Sequence, residues 1–512
     1  MKKKLFTLAL ISLLCACGGA NNSSSSNSSS ETISSESISS ETISSEIQTN
    51  IDDFEFEKTS LGVLAVNEDG GLTISKYTCK RGSTVKVEIP EQYKDYKITR
   101  IAENAFSFAG GIKTVTLSKN IKHCASKAFS GCTTLLGIYV DDANEHYSSR
   151  NDLLYSKDGK TIICGPNGKS EVLIDATTEV ISDYAFSGNS TKTFTFEEGV
   201  HTFGNRAFEN SKKATSFTMP NSVKTLGEYV FANSDFKELK LGTGITTLPS
   251  YTVYQCPSLT KLVVPGNVKT IEYSAIGDNQ HLSTLILEEG VENVGEYAIS
   301  FNSYLSNLSL PTSLRTIGKY GFIGLLSLKS VLIPEGVVSI GDGAFSHSTL
   351  LKTIKLPSTV SEIGQGINQY CTDFEGFVLD EGNEYFVLED NALYSKDMTR
   401  LLAVPQFYGE PGYHTFSVPS TVETIDNYAF NYSVRVSKVI LPKSLTSIGA
   451  GIFANSAVQE LEFLGTKEEW NAIEKKAIVE LEQEIRWNTL SSILEVICVD
   501  GSISLVEGEV IQ

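Results

Sequence analysis

Positive charge is in short supply: 42 Lys and Arg stand against 61 Asp and Glu, for a formal net charge of −19. Nucleic acid and anionic lipid both need a basic face, so neither suits this chain as a partner. Proline and methionine are sparse, at 13 and 3, against an abundance of Gly, Ser and Thr. That balance favours many turns and short strands over long helices. The six histidines (His123, His146, His201, His281, His347 and His414) lack metal-ligand spacing, and the nine cysteines include no CxxC. No G-x-S-x-G, Gly-rich phosphate loop, HExxH or paired-carboxylate context occurs. Enzymatic chemistry is therefore the least favoured class, and no cofactor or metal is expected. The acidic turn Asp141, Asp142, Asn144 and Glu145 could be imagined around calcium, but its ordinary reading is a solvated turn.

Long apolar runs are also missing, apart from the amino terminus. There Lys2, Lys3 and Lys4 precede the apolar stretch Leu5 to Leu14, which is too short to span a bilayer and suits a signal peptide. It ends in Leu14-Cys15-Ala16-Cys17, which looks like a bacterial lipobox with Cys17 as the lipid-modified residue. The reading is a leader over 1–16 and a lipid anchor at Cys17, with the protein on the extracellular face of the bacterial envelope. Residues 17–50 read as a disordered tether, since residues 20–50 hold 14 Ser and too few apolar groups to offset the entropy of ordering.

At 512 residues the chain exceeds one compact core, so several domains or a repeat array are expected. Self-similarity settles which. In blocks of 23, residues 304–372 share the pattern L-x-x-ϕ-x-ϕ-P-x-x-ϕ-x-x-I-G-x-x-A-F, with ϕ aliphatic. Its last residue recurs as Phe106, Phe129, Phe186, Phe208, Phe231, Val253, Ile276, Ile299, Phe322, Phe345, Phe430 and Phe453, with Asn368 in one coil. The intervals are 22 or 23 except for two, of 57 and 62. The alternating ϕ-x-ϕ portion predicts a short strand with two side chains inward, which proline then ends. Gly often follows the return-path Ile, but Pro249, Glu272 and Asp426 replace it, so left-handed backbone is not required there. One coil cannot bury its own apolar face; stacked coils share a core, with strands about 4.8 Å apart in a parallel sheet. Asn368 predicts a loosened or shifted coil.

Blocks such as IPEGVVSIGDGAF (333–345) and LPTSLRTIGKYGF (310–322) resemble the BspA-like leucine-rich repeat surface proteins. The likeness covers about residues 98–465. It implies a repeat solenoid: a leucine-rich-repeat-type right-handed coil with a parallel β-sheet of short strands, small β caps and a short C-terminal helix. Residues 51–97 read as the entry cap and 466–512 as the exit cap. Thr466 and Glu469 are spaced for a capping box, and a hairpin is expected around Asp500-Gly501. The two long intervals resemble each other: Asn144 leads to Leu154-Tyr-Ser-Lys-Asp158 as Asn383 leads to Leu393-Tyr-Ser-Lys-Asp397. Each reads as a hairpin inserted into the solenoid, near 141–172 and 380–415.

Cys132, Cys256 and Cys371 lie three residues after an anchor and read as small core hydrophobes; Cys79, Cys164 and Cys498 look scattered. Two surface columns are candidates for binding. The outward strand position holds mostly Thr, Ser and Lys, including Lys240 and Lys355, but Val263, Ile286 and Leu332 are apolar and could form a patch. The position two before the anchor holds Tyr184, Tyr229, Tyr251, Tyr297, Tyr320 and Tyr428, suited either to stacking between coils or to a partner. The resemblance implies a surface-anchored, non-enzymatic adhesin or scaffold for a protein or glycan on a host or neighbouring cell. An envelope-organising structural lipoprotein is the alternative, and an enzyme using the solenoid as a platform is the third.

Overall fold

A computed structural model describes residues 49–78, 86–107, 109–407, 409–480, 483–489, 491–493, 495–506 and 509–510. The leader, Cys17, Cys79 and most of the Ser-rich segment lie outside the described residues.

Each coil contributes two short strands. The ϕ-x-ϕ portion forms a front strand such as Thr353–Leu356, where Ile354 and Leu356 are buried and the residues between them face outward. It pairs in parallel with Gly376–Leu379, placing Ile354 opposite Phe377. The return path forms two-residue strands whose second residue points inward. From Thr247–Leu248 to Glu362–Ile363 these make an unbroken six-stranded parallel ladder that stacks Ile271, Val294, Ile317 and Ile340. The front ladder is instead divided into parallel groups, several of only two or three strands. Each lapse between groups outside the inserts involves a strand that runs into a proline, which has no N–H to donate (Pro220, Pro265, Pro311 and Pro334).

The twelve apolar anchors are all buried, none more than 2% exposed. Neighbouring rings stack, with Phe322 and Phe345 at 5.4 Å between centroids and Phe186 and Phe208 at 5.5 Å. Asn368 does not shift its coil. Phe345 N–H reaches Ile367 O just as Phe322 N–H reaches Ala344 O. Ile367 stands where most coils have Ala, and Phe374 and the strand residue Phe377 are buried beside it, so larger neighbours fill the interior.

The glycine four residues before the anchor has no left-handed φ, consistent with its replacement by Pro, Glu or Asp elsewhere. Its cause is close approach. A Cβ on Gly341 would sit 2.5 Å from the Lys319 backbone nitrogen, so successive coils nearly touch there. Gly341→Ala is expected to destabilise by about 1–3 kcal/mol through overpacking, read as a lower midpoint in urea. Left-handed backbone occurs instead two residues before the anchor, at Tyr184, Tyr229, Tyr251, Tyr297, Tyr320 and Tyr428 (φ 54–62°). Bulky side chains rarely adopt that region, so these tyrosines must gain something from their neighbours.

Three residues after the anchor runs a polar column, and this is where the cysteines sit. The amide of Asn279 donates to Val253 O and that of Asn302 to Ile276 O, each on the preceding coil's anchor. Ser234 donates to Phe208 O. Cys132, Cys256 and Cys371 do the same through S–H, to Phe106 O at 2.8 Å, Phe231 O at 3.2 Å and Phe345 O at 3.2 Å. They are therefore hydrogen-bonding staples as well as core packing. Burial pushes the Cys256 and Cys371 thiols up to about 12, which keeps them protonated donors.

Both long intervals contain an antiparallel hairpin followed by a third strand: Tyr147–Arg150, Leu153–Ser156 and Thr161–Cys164, then Phe386–Glu389, Ala392–Ser395 and Arg400–Ala403. The turns are Asn151-Asp152 and Asp390-Asn391, all four at positive φ, the chemistry of a type I′ turn. The third strand rejoins the return ladder in parallel, Ile162 beside Ile181 and Leu401 beside Ile425. A buried Asn starts each insert. Asn144 donates to Ser118 O and Ile121 O and accepts from His146 and Tyr147 N–H; Asn383 repeats all four bonds with Pro357, Val360, Tyr385 and Phe386. Asn144 is thus committed to closing the insert rather than turned toward an ion. The inserts also divide the interior into three apolar clusters, spanning residues 54–164, 153–403 and 392–505.

The exit cap is built on the helix α1 (Lys467–Ala472), where Thr466 and Glu469 form the capping box. Its Trp470 is fully buried, 5.5 Å from Trp487 and from Phe463, and shields the last coil. The closing hairpin pairs Glu495–Cys498 with Gly501–Val506, so its turn is Val499-Asp500, one residue earlier than expected, because Gly501 closes the ladder opposite Cys498.

Candidate binding surface

Strand alternation fixes what the front sheet shows. The residue between the two inward positions must point out, and parallel register then aligns those residues from coil to coil. Val263 lies beside Ile286 and Ile286 beside Ser309; Leu332 lies beside Lys355 and Lys355 beside Val378. Leu332 is 64% exposed, whereas Val263 and Ile286 are half-buried. Lys240 is exposed beside Thr218. Lys355 is tied to Asp380 at 3.1 Å, and Lys352 to Glu375 at 2.7 Å, so the charges around Leu332 and Val378 are partly neutralised in pairs.

Sequence reasoning missed Tyr139, Leu173, Val378 and Ile497, which occupy the same outward column and are all at least 40% exposed. Their signal was present in GIYV, EVLI, GFVL and EVIC, each with the same alternation, but three of the four border an insert, where the 23-residue phase is lost. The inserts reach this surface too. Asp152, at the first hairpin tip, accepts from the Tyr139 phenol at 2.9 Å and pairs with Lys169 at 2.5 Å. The bond to Asp152 holds the Tyr139 phenol above its usual value. Asn391, at the second tip, donates to Glu375 O.

The tyrosine column occupies a different corner of the coil. Tyr229 and Tyr251 stack at 4.4 Å, Tyr251 meets Tyr273 at 5.6 Å, Tyr273 meets Tyr297 at 5.5 Å, and Tyr297 meets Tyr320 at 4.9 Å. Cations continue the stack: Arg206 lies 3.9 Å from the Tyr229 ring centre, and Lys127 lies 3.6 Å from that of Tyr184. Tyr251, Tyr320 and Tyr428 are buried, and burial pushes the Tyr251 phenol far up. Ring-on-ring and ring-on-cation contact along the axis accompanies the left-handed backbone, and the front column stands beside this one as a candidate surface for a partner. A cleft of about 520 Å³ opens where the amino-terminal coils meet the coil after the first insert, lined by Arg100, His123, Glu103, Asp183 and Tyr184 among others. Arg100 is already paired with Asp69 and Glu68. Among the described residues no cluster of His, Cys, Asp or Glu has metal-holding geometry.

The profile of the BspA type leucine-rich repeat region, in six copies, matches residues 26–151, 170–283, 278–400 and 404–494. The chain belongs to the BspA-type leucine-rich repeat family. Proteins of this family are typically bacterial cell-surface proteins and typically non-enzymatic. Among solved structures, a leucine-rich repeat protein from Bacteroides ovatus is 18% identical, covering 83% of this chain and 96% of its own, with a TM-score of 0.43. A leucine-rich cell surface protein from Faecalibacterium prausnitzii is 19% identical, covering 66% and 96%, with a TM-score of 0.37. A search of curated proteins gave no match. Within the BspA-type pattern, a pair of matching inserts interrupts the coils of this chain.

Proposed function

We propose that this BspA-type protein is a non-enzymatic scaffold held at the bacterial surface by lipid on Cys17, gripping a macromolecule of a host or neighbouring cell through its front sheet. The observation that carries the reading is the outward pair Leu332 and Val378, 64% and 46% exposed, in register on either side of Lys355, with Leu173 and Tyr139 exposed at the same strand position of coils beside the first insert. Single exposed aliphatics are ordinary on a protein surface; their recurrence at the same outward strand position supports a contact surface. Aliphatic side chains flanked by paired charges suit a protein partner, with a glycan second. The acidic balance supports a partner other than nucleic acid.

The test is capture by the 51–512 fragment from host matrix and from bacterial envelope extracts. Leu332→Asp together with Val378→Asp is expected to weaken capture at least ~10-fold, a loss of about 1.4 kcal/mol, with the unfolding midpoint unchanged. Retention of bacterial components alone would replace the adhesin reading with that of an envelope-organising lipoprotein. A Cys17→Ala chain is expected in the soluble fraction, and its persistence in membranes would remove the lipid anchor from the proposal.

A further inference from the structure

The first insert brings together two cysteines that are distant in sequence. Cys124 ends the strand His123–Cys124, the last rung of the ladder that begins in the amino-terminal cap, with Ile101 as its partner. Cys164 ends Thr161–Cys164, opposite Leu154, in the sheet of the insert and the following coils. The side chain of Cys164 neighbours that of Cys124 across the joint between these two sheets, inside one packed apolar cluster. Tyr147 closes over them, its phenol accepting the Cys124 backbone N–H at 2.9 Å. Both cysteines are at most 3% exposed and pack in the same apolar cluster. They differ from Cys132, Cys256 and Cys371, whose S–H groups each reach a backbone carbonyl of the preceding coil.

We propose that Cys124 and Cys164 form a disulfide in the exported protein, fastening the amino-terminal coils to the first insert. The two thiols lose two protons and two electrons as the S–S bond forms. A disulfide-bearing oxidant of the thiol-exchange class takes up both electrons and both protons and leaves as two thiols. Exchange needs a thiolate. In the folded reduced protein the Cys124 thiol and burial push the Cys164 thiol well up, so Cys164 is a poor nucleophile once enclosed. The bond is therefore made while the joint is still open, during folding. Only the presence of an oxidising compartment rests on the surface-protein reading; the proximity of the two thiols does not.

The test uses the full chain, unfolded and refolded with either oxidised or reduced glutathione, then alkylated, digested and analysed by mass spectrometry. After oxidative refolding, the peptides carrying Cys124 and Cys164 are expected to be linked, and Cys132, Cys256 and Cys371 alkylated. The oxidised protein is expected to unfold several degrees above the reduced one, because the link restricts the unfolded chain. Cys124→Ala and Cys164→Ala should each remove both the link and the response to reductant. Alkylation of both residues after oxidative refolding would overturn the proposal, as would linkage of either to Cys79 or Cys132. Because refolding is done in vitro, these outcomes stand apart from whether the chain is exported or what it binds.

Discussion

Phe345→Ala is expected to lower the unfolding free energy by about 3–5 kcal/mol, the cost of the lost ring plus the cavity it leaves. The site cannot readily collapse. Phe345 is fully buried and stacks on Phe322, and the next coil offers Asn368 where other coils offer a ring or an aliphatic. Phe322 would lose its stacking partner on that side without gaining another. Phe345→Leu keeps most of the volume and is expected to recover more than half of the loss. In a stack where each coil touches only its neighbours, the damage stays local, so urea unfolding should broaden or split as well as shift. A single unshifted transition would mean that the anchor column does not carry the core.

Asn144→Ala and Asn383→Ala are expected to cost about 3–5 kcal/mol each, although neither removes much apolar surface. Each asparagine uses its whole amide, donating to two carbonyls of the preceding coil and accepting two N–H groups that start the insert. Alanine would leave these backbone groups unpaired in a site where Asn144 is 0% and Asn383 4% exposed. Asp in place of Asn144 retains the two accepting roles but turns a carboxylate toward Ser118 O and Ile121 O. It is expected to be at least as damaging at neutral pH. Chemical denaturation gives the magnitude, and limited proteolysis gives the place, with new cuts expected within 141–172 for the Asn144 variants and 380–415 for the Asn383 variant. A cost below about 1 kcal/mol for both alanine variants would refute the role assigned to these residues.

The solenoid was legible because its cause is periodic. A large apolar anchor every 22 or 23 residues, preceded by ϕ-x-ϕ and Pro, leaves little choice of path. The helix α1 was legible through Thr466 and Glu469, since a capping box is local chemistry. What could not be read depended on contact between coils. Intrinsic preference would keep Tyr229 or Tyr320 out of left-handed backbone, and the fold imposes it at this position of the coil, on Asn104, Arg206 and Ser274 as well. Cys132, Cys256 and Cys371 looked like packing until the carbonyls of the preceding anchors were seen beside them. Cys164 looked isolated because its path through the insert, not the repeat, carries it to Cys124. On the front column, Val263, Ile286 and Leu332 stood out in sequence, while Tyr139, Leu173 and Val378 were hidden by the loss of phase at the inserts.

The side-chain staples have a consequence for how such a chain can change its length. Asn279 meets Cys256 N–H and Val253 O, and Asn302 meets Asn279 N–H and Ile276 O, so each coil repeats on its successor what its predecessor did to it. Duplicating or excising the Asn279 or Asn302 coil therefore recreates such bonds with the next available partner, whereas removing half a coil leaves a row of them mismatched. The stretch between the two inserts is thus modular in steps of one coil, and the length of the front sheet can be reset in those steps. The joints at Asn144 and Asn383, whose partners occur only there, cannot be copied so freely and mark the ends of the adjustable span.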